Sequence, residues 1–128
     1  MQFTKPSFLE TKIEDKFFVL KSKNDKDKNK FLKKEIDFNF IQFHFVIDGN
    51  ATFSFNNGAY KMDVPNGKYI VLYNPKKNLP VDALIHPKSY VLSVLISIKK
   101  FHKLFSEDSN NIQFLLSLIH ISEPTRQE

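Results

Sequence analysis

Every glycine of the chain stands in a turn-forming context. DGN lies at Asp48 to Asn50, NNG at Asn56 to Gly58 and PNG at Pro65 to Gly67, and each separates two short runs that read as strands. Tight turns that need positive φ favour Gly and Asn, because a Cβ is costly there. Their placement restricts the middle of the chain to an antiparallel meander. IDFNFIQFHFVID (Ile36 to Asp48) enters it as a long strand, apolar on both faces for most of its length, as suits a strand covered on both sides. ATFSFN, AYKMDV and KYIVLYNP follow in turn. Upstream, KFFVLK (Lys16 to Lys21) reads as a strand. Downstream, YVLSVLISI (Tyr90 to Ile98) is a continuous Val- and Ile-rich run and therefore a buried one. Short strands punctuated by turns at this spacing predict an antiparallel β-sandwich or barrel from about Lys16 to Ile98. The period then changes. SIKKFHKLFSED has Ser97 as N-cap and places Ile98, Phe101 and Phe105 near one face, which predicts a helix over about 98–105. NIQFLL, from Asn111, begins a further element.

With 128 residues the chain is sized for one domain, and 41% apolar content with fourteen Phe supplies its core. The absence of Cys excludes a disulfide scaffold, a thiolate zinc site and a Cys nucleophile together. The first residues, MQFTKPSFLETKIEDK, have no apolar core of a signal peptide, and no run is long enough to span a bilayer. The expectation is a cytoplasmic protein with no membrane partner. The net charge of +5 raises the question of nucleic acid, but much of the excess lies in KSKNDKDKNKFLKK, Lys21 to Lys34. There Lys alternates with Asp and Asn, Arg is absent and Phe31 is the single aromatic, and the segment reads as a solvated loop. Base readout uses Arg, Asn or Gln delivered by a groove-fitting element, and the one Arg is Arg126. Specific DNA binding by this chain is not expected, and its lysines predict only weak association that fades with salt.

FHFVIDGNATFSFNNGAYKMDVPNGKYIVLYNP resembles the cupin half-barrel: a strand ending in acidic-Gly, a strand, an Asn-Gly turn, a strand, a Pro-x-Gly-like turn, and a strand ending at Asn-Pro. More narrowly, IQFHFVIDG, LYNP, LP and VLISIKKFHKLF, between Phe40 and about Asp108, are similar to the N-terminal sensor domain of AraC-family transcriptional regulators of the Bacteroidetes type. The likeness covers roughly residues 1–115. It implies a mainly β, cupin-like jelly roll with a C-terminal helix. Its function would be effector sensing and dimerisation, not catalysis. An unknown small-molecule effector would enter the barrel, a homodimer would form, and DNA would be touched only through helix-turn-helix motifs that follow the domain.

The pattern departs from metal-binding cupins. These place two His and a Glu upstream of the turn Gly, the Glu seven residues before it. Here that position is Gln42, the region Glu35 to Phe38 holds no His, and the later His position, near Leu79 or Pro80, is empty too. A divalent metal needs several such ligands converging, so neither metal nor cofactor is expected. Under strand alternation His44 shares the face of Phe40, Gln42 and Val46. A satisfied core imidazole is its simpler reading, ligand contact the other. His86 reads as a loop residue and His102 as a solvated one on the Lys side of the helix. No Ser-His-Asp order, paired carboxylates or phosphate-cradling Gly loop can be assembled. A sensor would open a cavity between the sheets, lined by Phe40, Gln42, His44 and some of Tyr60, Tyr69, Tyr73 and Tyr90. Phe101 and Phe105 would serve dimerisation or coupling. The competing function is a stand-alone, metal-free cupin that binds a small molecule or isomerises it.

LSLIHISEPTR, Leu116 to Arg126, resembles the translation of the transposase end and adapter used in tagmentation sequencing libraries. Residues 116–128 are accordingly expected to be non-native sequence fused to an interrupted gene, and fold reasoning stops at Leu115. That tail carries one basic and two acidic residues, so the remainder has 19 − 1 = 18 basic and 14 − 2 = 12 acidic groups, a net of +6.

Overall fold

A strand with no polar face must be covered on both sides, and the run from Ser89 to Ser97 meets that demand: each of its nine residues is buried. In the computed structural model, which describes residues 8–107, it is strand β9 (Ser89–Ser97) at the centre of a five-stranded sheet. The other strands are β1 (Leu9–Glu14), β2 (Phe17–Asn24), β3 (Lys30–Lys34), β4 (Phe40–Asp48), β5 (Asn50–Phe55), β6 (Tyr60–Pro65), β7 (Tyr69–Leu72) and β8 (Val81–Ile85). One helix, α1 (Ile98–Glu107), follows β9. One sheet has the order β1-β2-β9-β4-β7, the other β3-β8-β5-β6, and all neighbours pair antiparallel. The chain crosses repeatedly between them, giving the β-sandwich expected from the turn pattern but not a meander: the turns at Gly49 and Gly67 carry the chain from one sheet to the other, and within β4–β7 only β5 and β6 pair as consecutive strands.

Alternation along the strands sorts the side chains into two cores. Leu20, Leu32, Val46, Phe53, Ile85, Val91 and Leu95 point between the sheets. Phe17, Val19, Ile47, Tyr90, Leu92, Val94 and Ile96 cover the other face of the five-stranded sheet, joined by Phe43, Phe101 and Leu104. Helix α1 starts directly at the end of β9. Ser97 caps it, its Oγ accepting the N–H of Lys100 at 3.1 Å. Phe101 packs on Phe43 with ring centroids 6.1 Å apart.

The segment Lys21–Lys34 is not wholly a loop. β2 runs on to Asn24, and Lys30–Lys34 forms β3, an edge strand anchored by Leu32, which is fully buried. Edge strands that alternate charge with one inward apolar residue are a normal defence against further pairing. The turn between β2 and β3 is tied down by Asn24, whose amide donates to the carbonyls of Lys28, Ile85 and His86. Strand β1, also an edge, is mostly exposed and carries no sequence signal of its own. No helix among the described residues is long and apolar enough to cross a membrane. The element expected from Asn111 and the tail 116–128 lie outside the described residues, as does the side chain of Phe105.

All three Gly adopt positive φ, but they differ in what a side chain would meet. At Gly49 (φ 72°) a Cβ would run into the Ser89 hydroxyl and lie 2.8 Å from the Ser89 Cα. It would also disturb the bond from Asn50 N–H to Ser89 Oγ, 2.9 Å. At Gly58 a Cβ meets nothing within 4 Å. Gly49→Ala is expected to lower unfolding free energy by about 2–3 kcal/mol, and Gly58→Ala by about 1 kcal/mol from the left-handed backbone alone. Urea unfolding of the two variants measures the difference; equal losses would contradict it.

Candidate functional site

The inward face of β4 carries Phe40, Gln42, His44 and Val46, and the structure makes the middle two a closed polar chain. His44 is fully buried and Gln42 is 1% exposed. The Gln42 amide nitrogen donates to the carbonyl of Leu79 at 2.6 Å, which turns its oxygen towards His44 Nε2 at 2.9 Å. His44 Nε2 is therefore the protonated ring nitrogen, and Nδ1 accepts the hydroxyl proton of Ser93 at 2.6 Å. Phe53 closes over the ring, centroids 5.0 Å apart. Burial lowers the pKa of His44 to about 3, so the imidazole stays neutral. On β2, the Ser22 hydroxyl is buried without a hydrogen-bond partner among the described residues.

Cupin barrels often hold a divalent metal, and the residues present do not fit one. In the cupin likeness Gln42 stands at the carboxylate position and Leu79, with Pro80 after it, near the later His position. The fold does bring these two together, but through an amide-to-carbonyl hydrogen bond. Both nitrogens of His44 are engaged as well. Among the described residues no group of three or more His, Asp or Glu could hold a metal ion.

The structure places the residues expected around an inter-sheet cavity, Phe40, Gln42, His44 and some of four tyrosines, in several different environments. Gln42 and His44 are sealed in the polar chain. Because β7 pairs with β4 as Gln42↔Leu72 and His44↔Ile70, Ile70 and Leu72 take the inward positions, and Tyr69 falls on the outer face, with Tyr73 just beyond the strand. They are 60% and 39% exposed. Tyr90, one place from the inward Val91, belongs to the outer core. Tyr60 begins the edge strand β6, where its ring is tilted against that of Phe55 and remains 55% exposed. One-residue register decides each case. His86, in turn, is not a free loop residue: its Nε2–H donates to Thr52 Oγ1 at 2.9 Å, and that hydroxyl donates to Asp63 at 2.7 Å. His102 is exposed on α1.

Phe40 borders a cavity that lies at the end of the barrel rather than between the sheets. It measures about 700 Å³ and is bounded by the β1–β2 turn (Asp15, Lys16), the approach to β4 (Asp37, Asn39, Phe40) and the β9–α1 junction (Ser97 to Lys100, and Lys103). A smaller notch of about 200 Å³ shares Asp37 and Phe40 with it and reaches Phe18, Ile36 and Leu95. Three hydrogen bonds fix this end: Ser97 N–H to Lys16 O at 2.9 Å, Ile98 N–H to Asn39 O at 2.8 Å, and Phe40 N–H to Asp37 O at 3.1 Å. Sequence reasoning does not assemble it, because its walls come from three distant stretches. Two local irregularities do mark it: a Lys in a left-handed turn position and lysines in the first turn of a helix.

No protein-family model matches the chain, and no curated protein matches it. Among solved structures, an uncharacterized conserved protein with a double-stranded β-helix domain from Klebsiella pneumoniae aligns at TM-score 0.56 and 10% identity, over 77% of this chain and 84% of that one. KdgF from Halomonas sp. aligns at TM-score 0.51 and 13% identity, over 75% and 85%. The EutQ protein of Clostridium difficile aligns at TM-score 0.43 and 15% identity, over 63% of this chain and 55% of that protein, so the chain spans about half its length. The first two likenesses concern the fold, and the fold is the cupin-like double-stranded β-helix that the sequence resemblance implies.

Proposed function

We propose that this chain is the effector-sensing and dimerising domain of an AraC-type transcriptional regulator, with DNA reading carried by a separate helix-turn-helix part. The sequence likeness in VLISIKKFHKLF motivates the reading. The observation that carries it is the position of the barrel-end cavity: its walls include Phe40 of the barrel and the first turn of α1 at once. A molecule seated there touches the helix that leaves the barrel. Because α1 is joined to β9 without a linker and packs on the outer core through Phe101, a change in how that turn is held reaches whatever the helix contacts. Phe101 is the described half of the coupling pair expected with Phe105.

The genomic reading frame through Leu115 tests this. A pair of helix-turn-helix motifs within the following hundred or so codons supports the regulator. A stop codon close after Leu115 favours a stand-alone cupin.

A further inference from the structure

We propose that the barrel-end cavity binds a small organic monoanion, a carboxylate carried on an apolar or aromatic body, with the ammonium groups of Lys16, Lys99 and Lys103 around the carboxylate and Phe40 against the body. This rests on the sensor reading and specifies its effector class. The cavity volume of about 700 Å³ suits a molecule of that size.

The charges around it are unbalanced towards positive. Four lysines line the cavity against two aspartates. Lys100 is satisfied by Glu14 at 2.5 Å, whereas Lys16, Lys99 and Lys103 form no salt bridge with any described residue. The first turn of α1 contains no acidic residue and instead carries Lys99 and Lys100, which oppose the positive end of the helix dipole. Lys16 is held at φ 62°, a conformation that Gly or Asn adopts more cheaply. Two separate choices against local stability, the left-handed Lys16 and the basic first turn of α1, thus converge on one cavity, the pattern expected where side chains serve a ligand.

The apolar part follows from the other wall. Phe40 is half-buried, stands 6.2 Å from Phe18 ring to ring, and separates the cavity from the notch lined by Ile36 and Leu95. The two aspartates set the charge limit. Asp15 and Asp37 would repel a polyphosphate or nucleic acid, while a single carboxylate can sit on the Lys side, so the same lining that attracts one negative charge disfavours several.

The test is calorimetric titration of the full chain with benzoate, phenylacetate, indole-3-acetate and hexanoate, each beside its neutral amide, and with a set of neutral sugars. At least one acid is expected to bind, at least tenfold tighter than its amide, and to weaken with added salt. The double variant Lys99→Glu/Lys103→Glu is expected to lose at least tenfold in affinity while its Tm stays level or rises, because Glu at position 99 suits the first turn of the helix and position 103 is exposed; loss of folding therefore does not explain loss of binding. Lys61→Glu, on an exposed strand of the other sheet, retains binding. Equal affinity for acid and amide, undiminished binding by the double variant, or no binding of any acid overturns the anion assignment. Sugar binding that Phe40→Ala removes would overturn it too, yet leave the sensor reading standing, and failure of acids, amides and sugars alike counts against both.

Discussion

Phe53→Ala lowers the free energy of unfolding by about 3–5 kcal/mol, the range for truncating a fully buried aromatic ring. Phe53 is 1% exposed and lies mid-strand in β5, with its ring against His44 across the inter-sheet space. Its removal opens a hole beside the polar chain of Gln42, His44 and Ser93. Collapse cannot fill the hole without disturbing the hydrogen bonds of Gln42, His44 and Ser93. For a domain whose whole stability is about 5–15 kcal/mol, such a loss approaches unfolding. Urea denaturation measures it, with Phe55→Ala as the comparison, since Phe55 is only partly buried at the edge of the same cluster. A loss for Phe53→Ala below about 1.5 kcal/mol, or no larger than that of Phe55→Ala, would contradict this packing.

Acid is the second strong perturbation. Burial lowers the pKa of His44 from 6.5 to about 3. Between those values the unfolded chain binds a proton on this imidazole and the folded chain does not. Stability from this group is complete above pH 6.5 and falls as the pH drops towards 3, by about 1.4 kcal/mol per unit. Roughly 2 kcal/mol is lost between pH 7 and pH 5, before most carboxylates titrate. Replacing both partners by apolar groups, Gln42→Leu/His44→Phe, removes the titrating ring without leaving the other side chain unpaired. Denaturant midpoints at pH 7 and 5 for the two proteins give the test. The native chain is expected to weaken over this interval and the double variant to do so much less; parallel slopes would locate the acid sensitivity elsewhere.

The legible part of the fold is the part written in backbone-restricting residues and long apolar runs. Gly49, Gly58 and Gly67 announce their turns, β9 announces its burial, and Ser97 announces the start of α1. Strands β1 and β3 escape notice because edge strands need few inward residues; Leu32 alone anchors β3, and its lysines resemble a solvated loop. The inward positions of Gln42 and His44 follow from alternation on β4. The tyrosines do not, since whether Tyr69 or Ile70 faces inward depends on the register of β7 against β4, which no local pattern in KYIVLYNP fixes. The barrel-end cavity is less legible still. Residues 15–16, 37–40 and 97–103 meet only because β2 and β4 flank β9 on opposite sides, so their convergence is a property of sheet order rather than of any motif.

Coupling between the cavity and the departing helix is the claim on which the sensing role stands, and amide hydrogen exchange across residues 8–107 measures it directly. With the tightest-binding probe of the titration at saturation, the expected result is slower exchange in the first turns of α1 and in the Asp15–Lys16 turn, with the interior of β4 and β9 unchanged because Gln42, His44 and Ser93 are already sealed. Protection centred on the middle of β4 and β9, or bound ligand that leaves α1 exchanging at its free rate, would contradict a barrel-end site that reports through the helix.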